Sequence, residues 1–115
     1  MSETQTGESS ELSPDHPTTS LTDLVHQRGR LGILSVLAET DRADFAFLKT
    51  SLGLTDGNLG RHIDALAAAG LVHVEKGYAG RRPRTWIAIN KAGRHALQQE
   101  MDALRELVRR YESTP

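Results

Sequence analysis

Apolar residues recur every three or four positions along most of the chain, which is the spacing of one face of a helix. Gly29 and Gly32 interrupt the first such stretch, and a glycine inside a helix costs about 1 kcal/mol relative to alanine. We therefore expect either two helices or one broken helix there. The predicted helices cover about 21–27, 30–39, 45–52, 55–70 and 91–111.

The third and fourth of these helices are separated only by a short turn, as in a helix-turn-helix. Asp44 can cap the helix over 45–52, Gly53 can end it, and Thr55 can cap the next helix. Each helix has one apolar face that we expect to be buried. The residues of these two faces are Phe45, Leu48 and Leu52, and then Leu59, Ile63 and Leu66.

Two segments rich in β-branched and aromatic residues follow, at 71–76 and 85–90, and they predict the strands of a hairpin. The eight residues between them, 77–84, are too many for a tight turn, so we expect a flexible loop that stands out from the domain. A very short strand at Ala43 and Asp44 is also compatible with the sequence.

The last helix, which Asn90 can cap, has a heptad seam of apolar residues spaced 4, 3, 4 and 3 apart. These residues are Leu97, Met101, Leu104, Val108 and Tyr111. A long helix at the end of a small domain has little of that domain left to cover. We therefore expect the seam to form a homodimer interface, the alternative being that it packs on its own domain.

Charge is unevenly distributed along the 115 residues, whose formal net charge is −1. Residues 1–19 contain four acidic residues, no lysine or arginine, and few large apolar groups, which predicts a disordered acidic tail. The rest of the chain has a net charge of +3, and it divides into a predicted domain at 20–90 and a terminal helix at 91–112.

Several classes of protein are excluded or disfavoured. The absence of cysteine excludes disulfides, thiolate metal sites and thiol redox switches. No apolar run approaches the roughly 18 residues of a membrane span, and no secretion signal is evident. No nucleophile elbow, phosphate loop, metal signature or carboxylate pair in a suitable setting occurs, so we expect no catalysis, metal or cofactor. A cytoplasmic protein fits these features.

The outward face of the helix after Thr55 carries side chains that can read DNA bases. Asn58 can pair with adenine and Arg61 with guanine in the major groove, and Gly60 lets the backbone approach phosphates. The alternative is a solvated helix face. His62 lies beside the buried stripe and has two interpretations, namely packing at the edge of the core or contacting a phosphate.

The predicted hairpin loop is basic, because Arg81, Arg82 and Arg84 surround Pro83. Arginine suits phosphate contacts and narrow minor grooves. Basic loops are often no more than solubilising surface. Here the position directly after a helix-turn-helix favours a contact with DNA.

In this order, the elements resemble the winged-helix transcriptional regulators of the MarR and ArsR type, and most of all the small MarR-like regulators without an effector domain. The resemblance extends over about 21–112. The segments that carry it are RLGILSVL (30–37), FAFL (45–48), LGLTDGNL (52–59), RH (61–62), AGLV (69–72), GRRPRT (80–85) and NKAGR (90–94).

The resemblance implies an α+β, mainly α fold, a winged helix-turn-helix with a C-terminal dimerisation helix. It also implies a homodimer that binds a palindromic operator in double-stranded DNA, with one helix in the major groove and the wing on the flanking backbone or minor groove. The residues placed in the groove are Thr55, Asn58, Gly60, Arg61 and His62, and those placed in the wing are Lys76, Arg81, Arg82, Arg84 and Thr85. A serine commonly precedes the Arg-His pair in these families, whereas Gly60 stands at that position here.

We therefore expect a sequence-specific regulator of transcription that acts as a repressor. The alternative is a winged-helix docking module that binds proteins and no specific DNA. A small-molecule effector is open, and the lack of cysteine excludes the thiol-based sensing of many relatives.

Overall fold

A computed structural model describes residues 16–115, so most of the expected acidic tail (1–19) lies outside the described residues. The described part contains one turn of 3-10 helix at Pro17–Ser20, four α-helices and one three-stranded antiparallel sheet. In chain order the main elements are α1 (Arg28–Thr40), β1 (Arg42–Asp44), α2 (Phe45–Leu52), α3 (Asp56–Ala68), β2 (Val72–Ala79), β3 (Arg82–Ile89) and α4 (Lys91–Glu112). The expected α+β, mainly helical architecture is confirmed.

The core lies between the helices and the inner face of the sheet. The fully buried apolar side chains are Ile33, Leu34, Leu37, Leu48, Leu59, Leu66 and Ile87. The first three come from α1, and the others from α2, α3 and β3. Burying a side chain of this size contributes about 1.5–3 kcal/mol, so both helices of the helix-turn-helix are held mainly by their apolar faces.

The predicted helix over 21–27 is wrong, because this segment forms turns. Helix α1 begins only at Arg28, where the side-chain oxygen of Gln27 accepts hydrogen bonds from the amides of Gly29 and Arg30. That cap places Gly29 in the first turn of α1, so the glycine does not interrupt the helix. The helix expected over 30–39 is confirmed, with slightly wider bounds.

The caps of the helix-turn-helix lie where the sequence placed them. Asp44 Oδ1 accepts a hydrogen bond from the amide of Phe47 at 2.7 Å, and Thr55 Oγ1 accepts one from the amide of Asn58 at 3.1 Å. Gly53 ends α2 in the left-handed conformation, with φ of 64°. The turn between α2 and α3 is therefore determined locally.

The hairpin is longer and tighter than predicted. Strands β2 and β3 pair from Val72 opposite Ile89 to Ala79 opposite Arg82, which leaves two residues in the turn. Gly80 has φ of 66°, as the first central position of a type II′ turn requires. The prediction of a flexible loop over 77–84 is therefore wrong. Pro83 is tolerated because β1 pairs with β3 only farther along, so β3 is an edge at that point.

The 3-10 turn packs against α4, with Pro17 buried. Residues 17–19 thus have regular structure, where the sequence predicted disorder up to residue 19. Over 16–115, every helix is too short or too polar to cross a membrane.

Candidate nucleic-acid interface

Helix α3 presents a polar face to solvent, opposite the stripe that it buries in the core. Asn58 and Arg61 are both exposed on this face, and the Nη2 atom of Arg61 donates a hydrogen bond to Asn58 Oδ1 at 2.6 Å. The two residues that the sequence put forward as base readers are therefore adjacent, one helical turn apart. The face therefore presents an amide and a guanidinium side by side.

Gly57 precedes Asn58 and Gly60 lies between Asn58 and Arg61, and packing within the described residues accounts for neither glycine. A Cβ atom added at Gly57 or Gly60 would meet no atom of the described residues within 4 Å. Gly60, which lies in the interior of the helix, nevertheless costs about 1 kcal/mol relative to alanine. A bare backbone at these two positions would let the helix approach another molecule closely.

His62 does not reach this surface. It is 7% exposed, and its ring lies against the backbone of Gly29, where an added Cβ would come within 2.6 Å of His62 Cδ2. Arg30 Nε donates to His62 Nδ1 at 3.4 Å. Burial, followed by the charges of Arg30 and Arg61, lowers the pKa of His62 below its ordinary value of 6.5. Of its two interpretations, this burial favours packing at the edge of the core over contact with a phosphate.

The wing is attached to the helix-turn-helix through Asp44. While Asp44 Oδ1 caps α2, its Oδ2 lies 2.6 Å from Arg84 Nη1, and the Asp44 side chain is only 13% exposed. The local sequence pattern predicted the cap but not this contact with Arg84. The sequence signal that could have indicated this contact is the short strand at 42–44, because this strand pairs antiparallel with β3. Arg84 is therefore a strand residue held by a carboxylate, and the prediction that placed it in a free basic loop is wrong.

The other predicted wing residues do not form one patch. Arg81 lies in the turn. Lys76 lies opposite Thr85 in the pairing of β2 with β3, and both side chains are on the same face of the sheet as the core residue Ile87. Arg82 and Arg84 lie on the opposite face. The wing thus has basic groups at its tip and on both faces.

The heptad seam of α4 divides into two parts. Leu97 is 8% exposed and belongs to the core of its own domain, so for this residue the alternative of packing within the domain is right. Met101 and Leu104 are half-buried, whereas Val108 and Tyr111 are 54% and 81% exposed. An apolar strip therefore emerges toward the end of the helix.

Charged side chains flank that strip. Glu106 accepts hydrogen bonds from Arg109 and Arg110, and these bonds lower the pKa of Glu106 to about 2. Within residues 16–115, no three histidine or acidic side chains are arranged to hold a metal ion.

The family profile for the winged helix DNA-binding domain matches residues 30–108. The chain belongs to this family. It is also 34% identical over 83 residues to an uncharacterized protein of Methanocaldococcus jannaschii, a match that covers 72% of this chain and 90% of the relative. The winged helix-turn-helix expected from the sequence is thus confirmed.

Solved structures agree with this assignment. A transcriptional regulator homologue from Pyrococcus horikoshii is 32% identical, with a TM-score of 0.72, over 76% of this chain and 87% of that one. A MarR-family transcriptional regulator from Silicibacter pomeroyi has the same fold, at 24% identity and a TM-score of 0.63, over 86% of this chain and 67% of that one. The chain is thus a winged-helix DNA-binding protein that is similar to transcriptional regulators.

Proposed function

We propose that this winged-helix regulator binds a palindromic operator as a homodimer and acts as a repressor at the nucleoid. One observation carries the proposal. Asn58 and Arg61 are exposed and adjacent on the face of α3 opposite the core. One glycine precedes this pair and another lies between its members, and packing within the described residues requires neither. A helix built in this way has one face for its own domain and another for a closely approaching partner.

In this proposal Arg61 reads guanine and Asn58 reads adenine in the major groove, and each such bidentate contact discriminates by about 1–3 kcal/mol. Thr55 lies at the beginning of α3, where the first amides of the helix favour a phosphate. Because Gly60 has no side chain, the backbone of α3 can approach the bases closely. His62 acts indirectly, because its packing against Gly29 of α1 holds α3 in place.

In this proposal the wing binds the DNA backbone that flanks the bases read by α3. Arg81 and Arg82 are exposed at and beside the turn, and Lys76 is exposed beside Thr85 on the side of the sheet that faces the helices. These groups suit phosphates, which position a protein on DNA without reading its sequence. Arg84 acts by keeping the wing attached to α2 through Asp44.

Dimerisation through α4 follows from its exposed apolar strip. Val108 and Tyr111 lie on one side of a helix that extends beyond the domain, together with the half-buried Met101 and Leu104. Pairing two copies of this strip about a two-fold axis would cover it. A two-fold dimer presents its recognition helices to half-sites about 10 base pairs apart, which is one turn of DNA.

The test is selection of bound fragments from the sheared genomic DNA of the source organism at about 150 mM salt, followed by sequencing. We expect enrichment of a palindrome with half-sites one helical turn apart. Arg61→Ala should lose about 1–3 kcal/mol of operator affinity and relax preference at one base pair. Arg105→Ala, an exposed arginine on α4, is the matched control and should change neither property.

If no sequence is enriched, or if Arg61→Ala keeps the affinity and preference of the native protein, specific DNA reading by α3 is wrong. A docking module for proteins then becomes the better interpretation. Binding that ignores both salt concentration and the loss of Arg81 and Arg82 would point the same way.

A further inference from the structure

Helix α4 contains a buried carboxylate, Glu100, that has no role in the proposed function. It connects α4 to the segment before α1 through His26. Glu100 is 1% exposed, and its Oε2 lies 2.5 Å from His26 Nδ1. Its other oxygen, Oε1, has no hydrogen-bond partner among the described residues. Taking a carboxylate out of water costs several kcal/mol, so such a pair contributes little to stability.

His26 lies in the turns that precede α1, and these turns are held firmly. The amide of His26 donates to the carbonyl of Thr22 at 2.7 Å, and the neighbouring Val25 is buried in the core. The next residue, Gln27, caps α1 with its side chain. The imidazole that binds α4 is therefore part of the same short unit as the beginning of α1.

That unit also contacts α3, which is the recognition helix of the proposed function. The backbone of Gly29 lies against the His62 ring, and Arg30 donates to His62 through Nε and to the carbonyl of Leu24 through Nη1, at 3.4 and 3.3 Å. We call residues 24–30 the bridging segment. It binds α4 through His26 and α3 through Gly29 and Arg30.

The two helices that it joins carry the two surfaces of the proposed function. Helix α3 carries the Asn58–Arg61 pair, and α4 carries the exposed apolar strip. In a two-fold dimer that pairs through α4, the separation of the two copies of α3 depends on where α3 is placed relative to α4, and the rigidity of that placement decides how far the separation can vary. A rigid connection makes that separation match one spacing of half-sites.

We propose that Glu100 and His26 are positioning residues that set the half-site spacing which the dimer accepts, by holding the bridging segment and, through it, His62 and α3. The inference rests on the proposed dimeric binding of a palindrome. Neither residue touches DNA in this proposal. Their loss should therefore alter discrimination between spacings more than recognition of the half-site sequence.

The experiment compares the full chain with its Glu100→Gln and His26→Gln variants on the selected palindrome and on palindromes whose half-sites are moved apart or together by one base pair. We expect the native chain to prefer one spacing, and both variants to lose about fivefold or more of that preference, the lower end of coupling between sites. The double variant should lose no more than the worse single variant, because both changes break the same contact.

Two controls separate positioning from general destabilisation. Glu112→Gln and His95→Gln change exposed residues of the same type on α4 and should keep the native spacing preference. His26 is half-exposed, so its replacement by glutamine tests the proposal even if Glu100→Gln fails to fold.

A second measurement needs no DNA. The imidazole NMR signals of His62 should shift in Glu100→Gln and in His26→Gln and should stay unchanged in both controls. Unshifted His62 signals, or an unchanged spacing preference in a folded His26→Gln variant, would overturn the role of the pair. Failure of the native chain to bind any palindrome would instead refute the proposed function, and the NMR comparison would still decide whether the connection exists.

Discussion

Asp44 binds Arg84 with one carboxylate oxygen while it caps helix α2 with the other. One side chain thus joins the first helix of the helix-turn-helix to the wing. The carboxylate is shielded, whereas Arg84 is 43% exposed and points along the outer face of β3. The wing is consequently an extension of the folded domain, with its base tied to the element that precedes the recognition helix.

Replacing Asp44 separates its two roles. Asn caps helices about as well as Asp, so Asp44→Asn should keep the cap and lose the charge partner of Arg84, at a stability cost below about 1 kcal/mol. Asp44→Ala should lose about 1 kcal/mol more, because the cap disappears as well. Urea unfolding measures both costs. Hydrogen exchange of the wing amides should be faster in both variants, and equal stability of the two variants would contradict the division of roles.

Glycines at two places should respond in opposite ways to the same change. Gly60→Ala should stabilise the protein by up to about 1 kcal/mol, since the added methyl meets open space on a helix, yet it should weaken operator binding. Gly29→Ala should destabilise the protein by about 1–3 kcal/mol, because its methyl would collide with the His62 ring.

Thermal unfolding and an operator titration of both glycine variants check this pair of predictions. If Gly60→Ala kept native affinity, the recognition surface would not need a bare backbone at that position. If Gly29→Ala were as stable as the native protein, the close packing of α1 on α3 would be unimportant.

The stability of the protein should fall on mild acidification because of His62. Burial, together with Arg30 and Arg61, lowers the pKa of His62 in the folded protein, whereas the unfolded chain titrates near 6.5. The unfolded chain therefore binds the proton first as the pH decreases. The contribution of neutral His62 to the free energy of unfolding is fully present above about pH 6.5. It is lost as the pH falls toward the pKa of His62 in the folded protein.

Urea unfolding between about pH 7.5 and pH 5 measures this dependence. His62→Gln should flatten it, whatever the effect of that change on stability at neutral pH. His73→Gln, which replaces an exposed histidine of β2, should keep the native slope. Equal slopes in the native protein and in His62→Gln would contradict the burial of a neutral imidazole.

The wing should act on DNA through charge alone. Arg81→Ala should weaken binding to all sequences by a similar factor and lower the slope of log affinity against log salt by about one. Arg61→Ala should instead change sequence preference. Titrations of operator and unrelated DNA at several salt concentrations distinguish the two effects, and a sequence-dependent loss in Arg81→Ala would argue against a purely phosphate contact.

Local signals in the sequence determined most of the helix-turn-helix. Asp44, Gly53 and Thr55 define the ends of α2 and the beginning of α3 through contacts within a few residues, so their effect is legible without a structure. The apolar stripes predicted the buried faces for the same reason, because helical periodicity decides which side chains share a face.

Contacts between distant segments decided the rest. His62 is buried because Gly29, 33 positions earlier, leaves room for its ring, and Arg84 is held by an aspartate 40 positions away. Pairing of β2 with β3 ordered the residues around Gly80 that by themselves resembled a loop. The sequence alone therefore determined the helix-turn-helix with its caps and buried faces. Only the tertiary structure decided which polar side chains remain available to a partner, because burial and pairing depend on neighbours that local patterns do not specify.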